Sequence, residues 1–191
     1  MLATTSAPRD KAVRTSRWAA LLERFYSKAG SAAPRIDDLD GHQMPEPYRQ
    51  LLVHSSDMTP TLEKFYKQPM RLTVFSREQH EQSYLREVVL KCATDSRPVE
   101  YGVIRICLNH LPANAKQCVL QEERPLGNIL ESESIPHLSW PQAFFSIQPD
   151  ARLQTVLEAA PKAPLYGRRN VLLDGSRRLL AEVIEILAPA P

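Results

Sequence analysis

The sequence predicts an α+β domain: an antiparallel sheet of about six strands, with helices inserted before and between them. Three observations carry that expectation. Runs of β-branched and aromatic residues recur from Arg71 onwards, several of them joined by short polar turns as hairpins require. The regular strand–helix alternation of a parallel, doubly wound sheet is missing. The chain also holds 16 prolines against 6 glycines, and no glycine-rich phosphate loop.

A chain of 191 residues is long enough for one domain with a real core and too short to need two. Hydrophobic content of 43% and charged content of 24% are ordinary for a globular protein. A net charge of +2 gives no electrostatic reason to bind nucleic acid or an anionic membrane. No apolar run approaches the roughly 20 residues that cross a bilayer, so stable membrane insertion is not expected. Cys92, Cys107 and Cys118 are odd in number and widely spaced, which fits a reducing, cytoplasmic compartment. The five histidines (His42, His54, His80, His110 and His137) lack metal-ligand spacing, and no metal is expected.

In chain order, residues 1–16 read as a disordered tail rather than a secretory leader. Trp18 to Tyr26 has helical spacing of apolar residues, and Gly30 to Pro34 reads as a linker. The expected division is a tail with a short helix over 1–40 and the folded domain over 41–191. Pro47 to His54 reads as a helix. A second follows, capped by Asp57 or Thr59, with Leu62, Phe65 and Tyr66 on one face and its end before Pro69. The two form a helical hairpin that packs on the sheet or acts as a lid. Strands are expected at Leu72–Phe75, Tyr84–Lys91, Val99–Leu108, Ala143–Ile147, Tyr166–Leu173 and Arg178–Leu187. Ser76 to Ser83 reads as a polar connection, and Asp174-Gly175 as the strongest local hairpin signal. Asn109 to Cys118 is a loop or short helix, Pro125-Leu126-Gly127 leads into a helix, and Leu153 to Ala159 is another.

Chemistry points first to the second strand. Side chains alternate faces, so Tyr84, Arg86, Val88 and Leu90 share one. Three of these four belong in a core, so Arg86 needs an internal carboxylate or an anionic ligand beside it. In the last strand both faces are apolar apart from a glutamate. Glu185 lies with Leu179, Ala181, Val183 and Leu187, and Glu182 with Leu180, Ile184 and Ile186. Alternation alone cannot choose which is exposed and which partners Arg86 or its ligand. A glutamate desolvated on an apolar face has a raised pKa and can act as an acid or base near neutrality. Arg168-Arg169 beside Gly167 reads as a pair of strand-end arginines open to solvent, with some capacity for an anion.

Five segments in order resemble the chorismate pyruvate-lyase family (4-hydroxybenzoate synthase), especially its cyanobacterial-type branch. They are Ser56-Asp57-Met58-Thr59, Tyr84-Leu85-Arg86-Glu87-Val88, Pro125-Leu126-Gly127, Tyr166-Gly167-Arg168-Arg169 and Glu185-Ile186-Leu187-Ala188-Pro189. The resemblance spans about Pro47 to Pro189. It implies a six-stranded antiparallel sheet with helical flaps over a buried ligand, and no metal or organic cofactor; the chain is expected to be a monomer. The activity implied is elimination of pyruvate from chorismate to leave 4-hydroxybenzoate for quinone biosynthesis; lids that exclude water would also slow product departure, so product inhibition is expected. Carried over residue by residue, Arg86 would bind the ring carboxylate, and Met58 and Leu126 would offer backbone groups. Glu185 would face the ring oxygen and, with Arg86, carry catalysis; Glu182 is the second choice. The alternative is a non-catalytic, sensor-like domain of the same fold that binds small aromatic acids. Such a sensor normally carries a helix-turn-helix domain in front, for which the first forty residues are too short and irregular.

Overall fold

A computed structural model describes residues 19–191. Trp18 and the expected tail before it lie outside the described residues. Among the described residues the order is α1 (Ala20–Lys28), β1 (Ile36–Leu39), α2 (Tyr48–Leu52), α3 (Met58–Tyr66), β2 (Met70–Gln79), β3 (Ser83–Cys92) and β4 (Pro98–Cys107). Then come α4 (Ala113–Gln121), α5 (Leu126–Ser132), β5 (His137–Ile147), α6 (Ala151–Leu157), β6 (Leu165–Asp174) and β7 (Leu179–Leu187). The strands form one antiparallel sheet in the order β1-β5-β6-β7-β4-β3-β2.

The α+β class and the antiparallel sheet match expectation, but the strands number seven. The extra one is β1, where Ile36 and Leu39 flank two aspartates and pair with Ile147 and Phe144 of β5. Four residues with two acids carry almost no strand propensity. Their hydrogen bonds come from a neighbour more than a hundred positions away. The expected polar connection after Phe75 is also strand: β2 runs to Gln79, and a bulge between Val74 and Ser76 leaves Phe75 exposed. The Asp174-Gly175 turn is present, but Arg177 takes the left-handed conformation while the Asp174 carboxylate accepts from the Ser176 and Arg178 N–H groups.

Both faces of the sheet are covered. On one, α1 and α6 bury Leu22, Phe25, Leu153 and Leu157 against Leu85 and Val89 of β3, Val103 of β4 and Ile184 and Ile186 of β7. The expected N-terminal helix is thus packed into the core. On the other face α2 and α3 form one apolar cluster with Leu90 and Leu187, and α4 and α5 form a second with Ile104, Ala181 and Val183. The two helical pairs meet where α3 packs on α5. A Cβ on Gly127 would lie 3.4 Å from Thr59 Oγ1, at van der Waals contact, so the two helix starts pack closely there. Beneath that junction, between the two clusters, the sheet presents charged residues.

Candidate functional site

The cavity lies on the sheet face under the first turns of α3 and α5. Arg86, Val88 and Leu90 of β3, Glu100, Gly102 and Ile104 of β4, Asn170 of β6 and Val183 and Glu185 of β7 form its floor. Asp57, Met58 and Thr59 from one flap and Pro125, Leu126 and Gly127 from the other form its roof. Its volume is about 60 Å³, against the ~150 Å³ of a cavity known to take benzene. As it stands the cavity is smaller than a benzene-sized void, with the starts of α3 and α5 over it.

Arg86 stands at one end. It is 2% exposed, and its Nε and Nη1 are buried without a hydrogen-bond partner. Burial pulls its guanidinium down to about 10, opposed by nearby Tyr84 and Glu122. At neutral pH it remains a cation. Among the described residues no carboxylate is within ion-pair distance of it.

The expected partner is engaged elsewhere, which corrects the sequence reading. Glu185 accepts from Arg168 Nε at 2.5 Å; Arg168 and Glu185 sit directly opposite each other on β6 and β7. Arg168 was expected in solvent at a strand end, yet its side chain is wholly buried. Its remaining N–H groups donate to the carbonyls of Leu52 (3.3 Å), His54 (3.0 Å) and Ser56 (3.1 Å). It thereby ties the loop between α2 and α3 to the sheet. Gly167 beside it has no room for a side chain, because a Cβ would strike the carbonyl of Glu185 and the Phe145 ring. Glu182, the second choice, points away from the cavity and pairs with Arg105 at 2.6 Å and Arg169 at 2.7 Å. Met58 and Leu126 line the cavity from opposite flaps, and Arg86, Met58, Leu126 and Glu185 are all brought together.

Two further residues escaped the sequence reading, and a third, Asp57, was read differently. Glu100 lines the cavity on the face of β4 that it shares with Gly102 and Ile104, and its Oε2 is buried without a partner. Burial chiefly, then the nearby Glu185 charge, raises its pKa well above the ordinary range, against Arg168. Glu185 is likewise raised by burial, with Arg168 opposing. Asn170 donates to Ser139 at 2.8 Å and leaves its Oδ1 buried and unpartnered. Asp57, expected as a helix cap, sits at the cap position of α3 but makes no side-chain cap bond. Its carboxylate instead pairs with His137 at 2.7 Å, an interaction that raises the imidazole's pKa. The missed signal was period two: Glu100-Gly102-Ile104 and Arg168-Asn170-Leu172 each put polar groups on a face that carries core residues.

No family model matches the sequence, and no curated protein matches it. Solved structures do. PhnF from Mycobacterium smegmatis aligns at 14% identity over 71% of this chain and 65% of that one, TM-score 0.52. This chain thus spans a little under two thirds of that protein's length. Its effector domain alone aligns at 14% identity over 70% of this chain and 88% of that chain, TM-score 0.52. A transcriptional regulator of the GntR family from Bacillus cereus aligns at 12% identity over 63% and 92%, TM-score 0.46. The likeness establishes the fold. This is the chorismate lyase-like α+β fold.

Proposed function

We propose that the cavity binds a small ring-shaped carboxylic acid, and that with chorismate as ligand the protein acts as a chorismate pyruvate-lyase. The observation that carries this is the unpartnered Arg86 guanidinium, across an apolar cavity from the Glu185 carboxyl. A guanidinium fork suits a ring carboxylate, with two charge-assisted hydrogen bonds in place of none. The elimination breaks the ring C–O bond to the enolpyruvyl group and removes a ring proton as the product becomes aromatic. Such a reaction asks for positioning and charge placement more than for a strong nucleophile. Glu185 would face the ring oxygen, where a carboxyl with a raised pKa can donate a proton to the leaving oxygen or, ionised, accept the ring proton. Met58 and Leu126, at the starts of the two flaps, would close over the ligand and exclude water.

A second reading keeps the ligand and drops the chemistry: a sensor-like domain for small aromatic acids. Its support is that the fold is shared with the effector domain of PhnF. One experiment separates the two. Incubation with chorismate, without added metal, is expected to release 4-hydroxybenzoate and pyruvate in equal amounts above the spontaneous rate. Saturable binding of 4-hydroxybenzoate without turnover would favour the sensor. Absence of both from a folded protein would sink the reading altogether.

A further inference from the structure

The carboxyl of Glu100 has no part in the chemistry above. Arg86 is paired across strands with Ile104, Val88 with Gly102, and Leu90 with Glu100. Gly102 is in turn paired with Glu185 of β7. Along the floor the order is therefore Arg86, then Glu185, then Glu100, with Arg86 and Glu100 four residues apart along the strands. At ~3.3 Å per residue, their backbones are roughly 13 Å apart along the sheet, and both side chains line the one cavity, from its two ends. Gly102 leaves room for the Glu100 carboxyl. A Cβ there would lie 3.3 Å from Glu100 Oε1 and 3.2 Å from Val88 Cγ2, so the Glu100 carboxyl occupies ground that any larger residue would contest.

Resting on the aromatic-acid reading of the cavity, we propose that Glu100 is a specificity-determining residue. Its carboxyl donates a hydrogen bond to a second oxygen function of the ligand, at the end remote from Arg86. The ligand class is then narrower than ring carboxylates at large. It is ring acids that also carry an oxygen substituent across the ring from the carboxylate.

Two facts support a donor there. Glu100 is 4% exposed and its Oε2 lacks any partner, so a ligand oxygen would satisfy a buried group that is otherwise alone. Arg168, whose charge acts on Glu100, is already committed to Glu185 and to three carbonyls. The surroundings therefore favour the uncharged carboxyl, which carries an O–H.

The test is binding of two probes, benzoate and 4-hydroxybenzoate, to the wild-type chain and to Glu100→Leu and Glu100→Gln by calorimetry. Wild type should prefer 4-hydroxybenzoate by about ten-fold, the size of one buried hydrogen bond. Glu100→Leu should lose most of that preference while holding benzoate within about three-fold. Glu100→Gln, which keeps an N–H donor, should retain it. An apolar side chain in place of an unpartnered buried acid should not impair folding, and thermal unfolding of Glu100→Leu checks this. If both acids bind and the preference survives in Glu100→Leu, Glu185 alone reads the oxygen and this inference fails by itself. If neither acid binds wild type, the proposed function fails and takes this inference with it.

Discussion

The two faces of the sheet both bury charge, but they treat it differently. Beneath α1 and α6, Glu87 is 1% exposed, and its Oε1 accepts from Tyr101 (2.8 Å) and from the Arg152 guanidinium. Arg152 also lies over the Tyr26 ring, whose hydroxyl donates to Asp150 at 3.2 Å. The Glu87 charge thus has its cation within the fold, although its second oxygen, Oε2, is buried without a hydrogen bond. On the cavity face Arg168 and Glu185 pair in the same way, while Arg86 and Glu100 are left open. Burying a charge is tolerated where its partners are built in. Where they are missing, the simplest account is that a ligand supplies them. Neither burial nor a single unpaired oxygen marks a site, since Glu87 Oε2 lacks a partner too; Arg86 and Glu100 differ in lining a cavity without, among the described residues, any ion pair.

The largest expected effect breaks the closed pair. Arg168→Met leaves Glu185 buried without its cation and strips three carbonyls of a donor. It should cost about 3–5 kcal/mol, read as a fall of roughly 10 °C in the unfolding midpoint. A loss under about 1 kcal/mol would mean that the pair is not structural. The open arginine should behave in the opposite way. Arg86→Met removes an uncompensated charge, so the midpoint should hold or rise. Binding of 4-hydroxybenzoate should weaken about 100-fold, the worth of one to two charge-assisted bonds. A drop in stability with unchanged affinity would make Arg86 structural.

Arg86 was legible because the argument is local. Three apolar neighbours at period two place a charge on a core face, and nothing outside β3 is needed to see it. The identity of its partner was not legible. Glu185 went to Arg168 because β7 lies between β6 and β4, whereas β3 is two strands away. Strand order is a long-range property, and alternation says nothing of it. The same limit hid β1, whose pairing comes from β5. It also hid Arg168, whose burial depends on the α2–α3 loop folding down over it. Glu100 was a different kind of miss: its period-two company of Gly102 and Ile104 stood in the text, but Gly102 weakened the apolar pattern that would have drawn attention to it.

A smaller effect sharpens the contrast through pH. The Glu100 carboxyl ionises in the unfolded chain near its ordinary 4.5, and in the folded chain only well above that. Between those values the unfolded state has lost a proton that the native state keeps, so native stability falls as pH rises. It is fullest below about 4.5 and declines through the folded value. Glu185, raised for the same reason, adds to the slope. Glu100→Gln cannot ionise. Its unfolding midpoint should exceed the wild-type value more at pH 8 than at pH 4.5, in denaturation curves taken at both. Parallel curves would show that Glu100 is charged in the native state and cannot be a donor.

The smallest effect concerns the two glutamates of β7. Glu182 pairs with Arg105 and Arg169, the first of which is largely open to solvent, so much of the attraction is screened. Replacing it with glutamine should cost about 1 kcal/mol or less and shift the affinity for 4-hydroxybenzoate by under about two-fold, since it lies on the opposite face from the cavity. Glu185→Gln removes the acid from the floor and should abolish turnover of chorismate if the protein is a lyase. If it is a sensor, the same change alters only affinity. The pair of variants thus reads the two faces and the two functions at once. Loss of turnover in Glu182→Gln with Glu185→Gln still active would reverse the assignment of the strand's working face.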